Sequence, residues 1–226
     1  MTQQRKEKLE NGEIYHIFTR SIAKFVVFNN DEEYLRMKNI LNCYRYANFN
    51  YKYSHFAELD ESSQEVILYQ LKIEDNCLVR IIAYCIMPTH IHIILQQLEE
   101  GGISKYMSRV LNSYSRYFNT KHKRVGPLWS GRFKSVLVSE DEQLLHLTRY
   151  VHLNPTSADL TKIPEQWEFS SYGEYLQENS NGGRVCNFDN LFDLSPKEYK
   201  KFVDDRKQDQ RNISIIKFLT MDNYAG

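Results

Sequence analysis

Met87-Pro88-Thr89-His90-Ile91-His92-Ile93-Ile94-Leu95 reads as a break at Pro88-Thr89 followed by a β-strand. Residues i and i+2 of a strand share a face. His90 and His92 therefore stand side by side, while Ile91 and Ile93 point to the opposite, packed face. Two imidazoles held on one face of a rigid strand make half of a metal site. The same pair also reads as two partly buried histidines that only hydrogen-bond, so the rest of the chain has to decide.

Residues 78–87 (LVRIIAYCIM) form a second β-rich run, and the two strands make a tight hairpin that presents the histidines near its turn. Residues 13–21 (EIYHIFTRS) add a third strand. Asn30 is an N-cap with Glu33 three positions on, a capping-box spacing. Met37, Ile40, Leu41 and Tyr44 give the helix that follows one apolar face. Residues 48–76 are a long mixed connection, with a short helix expected over 65–71. Beyond the histidines, residues 103–121 form an amphipathic helix. Ile103, Met107, Val110, Leu111, Tyr114 and Phe118 line one side of it, and Lys105, Arg109, Asn112 and Arg116 the other. Residues 133–138 read as a strand. Ser139, with Glu142 at the capping-box position, opens a helix that Pro155 is expected to end near residue 153. Ser195-Pro196 starts a last short helix.

The order strand, helix, strand, strand, helix, strand, helix predicts an α+β fold. It matches a ferredoxin-like antiparallel sheet with helices on one face, plus an added helix that carries Tyr150. The other sheet face is expected to be open for a ligand. Residues 1–176 read as the main domain and 177–226 as an accessory C-terminal extension.

The 226 residues suffice for one sizeable domain, and 42% hydrophobic with 26% charged residues is ordinary globular composition. No apolar run is long enough to span a membrane, and the polar start is unlike a secretory signal. Cys43, Cys77, Cys85 and Cys186 are scattered, which argues against a cysteine zinc site or a disulfide framework. A cytoplasmic protein with free thiols is the simplest expectation. The net charge is zero, from 29 basic and 29 acidic residues, yet its distribution is uneven. Between Gly101 and Ser139 there is no acid, while Lys105, Arg109, Arg116, Lys121, Lys123, Arg124, Arg132 and Lys134 all fall there. Such a stretch is either a solvated helix face or a footprint for phosphates, with Trp129 or Phe133 available to stack on an unpaired base.

In the helix opened by Ser139, His146, Tyr150 and Asn154 are spaced by one turn and form a polar row. Leu144, Leu147 and Val151 form a separate apolar side. Tyr150 is then either an interfacial tyrosine or a hydroxyl poised one turn from an amide ligand.

Three blocks together resemble a known family: Pro88-Thr89-His90-Ile91-His92, then Gly126-Pro127-Leu128-Trp129-Ser130-Gly131-Arg132-Phe133-Lys134, then Tyr150-Val151-His152-Leu153-Asn154-Pro155. They are similar to the HUH-type single-tyrosine transposases, and most nearly to the REP-associated tyrosine transposases of bacteria. Tyr15-His16-Ile17-Phe18-Thr19-Arg20 resembles that family's first strand. The resemblance implies a strand transferase acting on single-stranded DNA with hairpin structure. Tyr150 would be the nucleophile and would form a 5′-phosphotyrosine intermediate. His90, His92 and Asn154 would hold a divalent metal, Mg²⁺ or Mn²⁺, and the basic stretch would hold phosphates. Relatives include monomers and homodimers that exchange the tyrosine helix. The long 48–76 connection and the zero net charge depart from the family's pattern. Two other readings remain: a domesticated single-stranded nucleic-acid-binding protein without transposition, and a metallohydrolase that uses water as nucleophile.

Overall fold

The computed structural model describes residues 8–177 and 184–205. Strands β1 (Ile14–Arg20), β2 (Val79–Met87), β3 (His90–Gln97) and β4 (Lys134–Val138) form one antiparallel sheet in the order β2-β3-β1-β4. The helices are α1 (Asp31–Tyr44), α2 (Tyr53–Phe56), α3 (Glu61–Glu74), α4 (Gly102–Lys121), α5 (Asp141–Ser157), α6 (Tyr172–Tyr175) and α7 (Pro196–Asp204). The ferredoxin-like plan is therefore present: β1-α1-β2-β3-α4-β4, with α5 added.

Strand alternation sorts the core into two layers. Ile17, Ile91, Ile93 and Leu95 pack against Met37, Ile40 and Leu41 of α1 and Met107, Val110 and Tyr114 of α4. Ala83, Cys85, Ile94 and Val136 face the other way, onto Leu144, Leu147 and Val151 of α5. The second sheet face is thus covered, not open. The cause is legible in β2, which is buried along nearly its whole length; a strand that is apolar on both faces needs cover on both.

Local chemistry accounts for several boundaries. The Asn30 side chain accepts from the Glu33 backbone N–H at 3.2 Å, as expected. The Glu33 carboxylate reaches one residue further back and accepts from the backbone and side-chain N–H groups of Asn29. α5 starts one residue later than expected, after Glu140, which makes no side-chain cap bond. Asp141 and Glu142 place negative charge at the positive end of the helix dipole instead. Pro155 lies inside the last turn of α5 and does not end the helix before it. So near the end the ring removes one hydrogen bond, and the following turn still closes, with Ala158 N–H donating to the Asn154 carbonyl at 3.0 Å. The connection after α1 holds α2 and α3. The latter is twice the length expected and is capped by Asp60, which accepts from Ser63 N–H at 3.0 Å.

The extension from residue 177 is described only over 184–205, and there α7 is built into the second core through Tyr199 and Val203. A buried polar chain fixes that docking. The His152 ring lies 2.8 Å from the Tyr199 hydroxyl and 2.8 Å from Ser171 Oγ. The Tyr199 hydroxyl donates to Thr148 Oγ1 at 2.9 Å. Burial pushes the His152 imidazole down to about 3, so it is neutral and spends one ring nitrogen on each neighbour. Tyr199→Phe removes the shared hydroxyl and leaves His152 and Thr148 short of a partner. It should cost about 1–3 kcal/mol of unfolding free energy, read from urea denaturation; an unchanged midpoint would contradict this account of how α5 is held.

Candidate active site

β3 places His90 and His92 on the face that α5 covers, next to Ile94 of the second core. The β1–β3 register sets Arg20 opposite His90 and Phe18 opposite His92, so His16 is the diagonal neighbour of His92. His16 Nε2 and His92 Nδ1 are 3.0 Å apart, and both residues are fully buried. Their rings are stacked, with centroids 5.2 Å apart. His90 Nδ1 lies 3.0 Å from Thr89 Oγ1. Each histidine of the pair therefore has Nδ1 engaged. His92 Nε2 is buried and makes no hydrogen bond among the described residues.

α5 delivers Tyr150 to this place. Its ring meets the His92 ring nearly edge-on, at 5.6 Å and 88° between planes, and the His16 ring at 6.2 Å and 80°. Three strand-borne or helix-borne groups that are far apart in sequence thus share one spot. Asn154, one turn on, donates from Nδ2 to the Tyr150 carbonyl at 2.8 Å, which fixes the amide and leaves its oxygen for another contact. His146 is not part of the cluster; it packs on Phe202 at 5.3 Å.

Electrostatics keep the imidazoles uncharged. Burial, then the Arg20 cation, pushes His90 down to about 4. Burial, followed by its two histidine neighbours and Arg20, holds His92 well below the usual imidazole range. Neutral imidazole is the form that ligates metals. A ligating histidine characteristically donates its other ring N–H to a fixed neighbour. The tautomer with a proton on His92 Nδ1, donated to His16, leaves the Nε2 lone pair for a metal. The orphaned Nε2 and the two engaged Nδ1 atoms fit such a group. No cluster of three or more His, Cys, Asp or Glu suited to a metal occurs among the described residues. A metal here would take the imidazole pair and draw its other ligands from an amide, water or substrate oxygens.

His16 was missed by spacing arguments, because nothing in the sequence around it reveals the diagonal register of β1 on β3. The basic candidates divide. Lys134, by alternation from Val136, shares the histidine face, and Arg132 is exposed just before it. Lys123 is exposed in a left-handed turn with φ of 48°. Arg124 is spent on Asn119 Oδ1 and the Pro127 carbonyl. Lys105, Arg109, Arg116 and Lys121 lie along the polar side of α4, away from Tyr150. Lys121 pairs with Glu32 at 2.8 Å and with Glu33 at 3.5 Å. Trp129 is a core residue and no stacking platform. It is buried in the first core, and its indole N–H donates to the Leu111 carbonyl at 3.3 Å.

Comparison with known proteins bears on the family and the fold. The model of the family described as "Transposase IS200 like" matches residues 39–154, just over half of the chain. A protein of Haemophilus influenzae described as a REP-associated tyrosine transposase is 27% identical over 101 residues. That match covers 40% of this chain and 57% of the relative's length. A solved structure described as a REP-associated tyrosine transposase bound to a REP hairpin has the same fold, with a TM-score of 0.50. It is 15% identical, and the superposition covers 87% of this chain and 96% of that one.

The His16–His92 contact makes a prediction independent of any ligand. His16→Leu strands His92 Nδ1 in a fully buried position and should lower unfolding free energy by about 1–3 kcal/mol. His16→Gln, whose side-chain oxygen can accept in nearly the same place, should recover most of that loss. Equal denaturation midpoints for the two variants would contradict the role given to the bond.

Proposed function

The chain belongs to the IS200-like transposase family, and we propose that it cleaves and rejoins single-stranded DNA, with Tyr150 as nucleophile. The observation that carries this reading is the meeting of the Tyr150 ring with the His92 ring at 5.6 Å, across two elements far apart in sequence. The partner is proposed to be a DNA hairpin with single-stranded flanks; the similar solved structure is described as bound to a REP hairpin.

The Tyr150 oxygen attacks phosphorus and a new P–O bond forms. The P–O3′ bond breaks, and the 3′ oxygen leaves and takes up a proton, matching the one the phenol gives up. The product is a 5′-phosphotyrosyl strand and a free 3′-OH. Phenolate is a better leaving group than an alkoxide, so a 3′-OH from a second end can reverse the step and join strands. One phosphodiester is exchanged for another, and no nucleotide hydrolysis is required.

His90 and His92, through Nε2, and Asn154, through its amide oxygen, are the residues proposed to hold Mg²⁺ or Mn²⁺. A divalent ion bound there supplies Lewis-acid polarisation of the scissile phosphate. His16 fixes the ring of His92, Thr89 fixes that of His90, and α5 sets the approach of the Tyr150 hydroxyl. Lys134 and Arg132 stand where they can meet phosphates near the cut.

A single-stranded hairpin oligonucleotide labelled at its 3′ end, incubated with the protein and Mn²⁺ and run on a denaturing gel, tests the reading. The wild type should give a labelled band shifted by the mass of the protein. Tyr150→Phe should abolish that band and leave DNA binding within about twofold, since only one hydroxyl is lost. Cleavage without an adduct would favour water as nucleophile and overturn the role of Tyr150. Binding of hairpins with no cleavage of any would favour a binding protein.

Metal affinity gives a second prediction. His92→Ala should abolish Mn²⁺ binding measured by calorimetry without DNA. His16→Leu should weaken it about 10- to 100-fold, the range for losing a partner of a ligating histidine. Undiminished binding in His92→Ala would remove this pair from the metal site.

A further inference from the structure

A cleft of about 950 Å³ opens on the outer side of the helical layer, between α1, α4 and the chain from Ala47 to Ser54. That chain is the start of the long connection after α1. No carboxylate is among the lining side chains.

Arginines build its walls. Half-buried Arg109 donates to the backbone carbonyls of Tyr46 and Phe49 and lies over the Tyr44 ring at 4.7 Å. It therefore fixes the wall and is not a free phosphate ligand, contrary to the expectation from the sequence. The Arg36 guanidinium sits 4.4 Å from the Tyr53 ring centre and 4.8 Å from that of Tyr117. Its Nε is buried and makes no hydrogen bond among the described residues. Charge for a ligand comes from elsewhere. Lys52, Lys105 and Arg116 line the cleft, are exposed and form no ion pair among the described residues. Beside them Tyr51 is 44% exposed, an aromatic surface that the core leaves uncovered.

Cations without acids, set along a groove with one accessible aromatic ring, that of Tyr51, suit a phosphodiester strand whose bases are unpaired. Lysine and arginine meet the phosphates, and a tyrosine ring stacks on bases without regard to sequence. A duplex has no free base face to offer such a ring. We propose that this cleft holds a second stretch of single-stranded DNA, on the far side of the sheet from Tyr150. The proposal rests on the DNA-transferase reading: one molecule would grip the flank of a strand while the opposite face cuts it. The segment after α1 then has a function, as one wall of the grip.

The test uses the full chain and a fluorescent oligothymidylate, with anisotropy followed through a salt titration. The triple variant Lys52→Ala, Lys105→Ala, Arg116→Ala removes three exposed cations that form no ion pair among the described residues. Its plot of log affinity against log salt should be shallower by about 2, and its affinity near 0.1 M salt about 100-fold weaker, from a slope of about 0.7 per phosphate on single strands. A control with the same loss of charge, Lys162→Ala, Lys197→Ala, Lys201→Ala, should stay within about twofold of wild type. A cleft variant that binds like wild type, or a control that loses as much, overturns the proposal. Equal cleft-dependent binding of oligouridylate overturns its assignment to DNA. The Tyr150 adduct, assayed on the same preparations, separates the two claims. An adduct with unchanged binding in the cleft variant removes the cleft alone. Cleft-dependent binding with no adduct on any hairpin keeps the cleft and removes the transferase.

Discussion

Leu144, Leu147 and Val151 of α5 are buried against Ala83, Cys85, Ile94 and Val136 on one face of the sheet, and that apolar contact sets the distance between Tyr150 and the histidines. The contact works because β2 is buried along nearly its whole length, apolar on both faces. A sheet covered on one side alone would leave that face in water and Tyr150 without a seat. The same helix is tied from behind by His152, Thr148 and Tyr199, so α7 contributes to the placement of Tyr150.

Inside this seat the histidines act as one buried system. Burial removes the charge of His90 and His92, which by itself would leave polar ring nitrogens unsatisfied at a cost. The His16–His92 and Thr89–His90 contacts settle one nitrogen of each ring and orient the other. An unpaired polar atom in a fully buried position is a stored demand for a partner. His92 Nε2 carries that demand at the place where Tyr150 arrives, and it is the strongest local indication that the pair serves a ligand and not only the core.

Much of this was legible in the sequence, and the reasons it was legible are physical. Period-two alternation gave β3 and the shared face of His90 and His92; the i, i+3, i+4, i+7 pattern gave α1 and α4; the spacing of Leu144, Leu147 and Val151 gave the buried side of α5. What escaped depends on contacts between distant segments. His16 joins His92 only through the diagonal register of β1 on β3. Trp129 reads as an exposed aromatic in a Gly-rich loop, but its indole N–H finds the Leu111 carbonyl and draws it into the core. Arg109 sits on the polar side of an amphipathic helix, where a solvated cation is the natural reading, yet the backbone carbonyls of Tyr46 and Phe49, in the connection after α1, capture it. The acid-free run from Gly101 to Ser139 is continuous in sequence and divided in space, because α4 and β4 lie in different layers of the fold.

The central claim is that one side chain, Tyr150, becomes covalently joined to DNA. Its most direct measurement is mass spectrometry of the protein after reaction with a hairpin strand, nuclease trimming and digestion with trypsin, which cuts after Arg149 and Lys162. The account predicts a nucleotide remnant on the peptide that begins at Tyr150, attached through a phosphodiester to the phenol. A remnant on any other tyrosine, or cleaved DNA with this peptide unmodified, would contradict it.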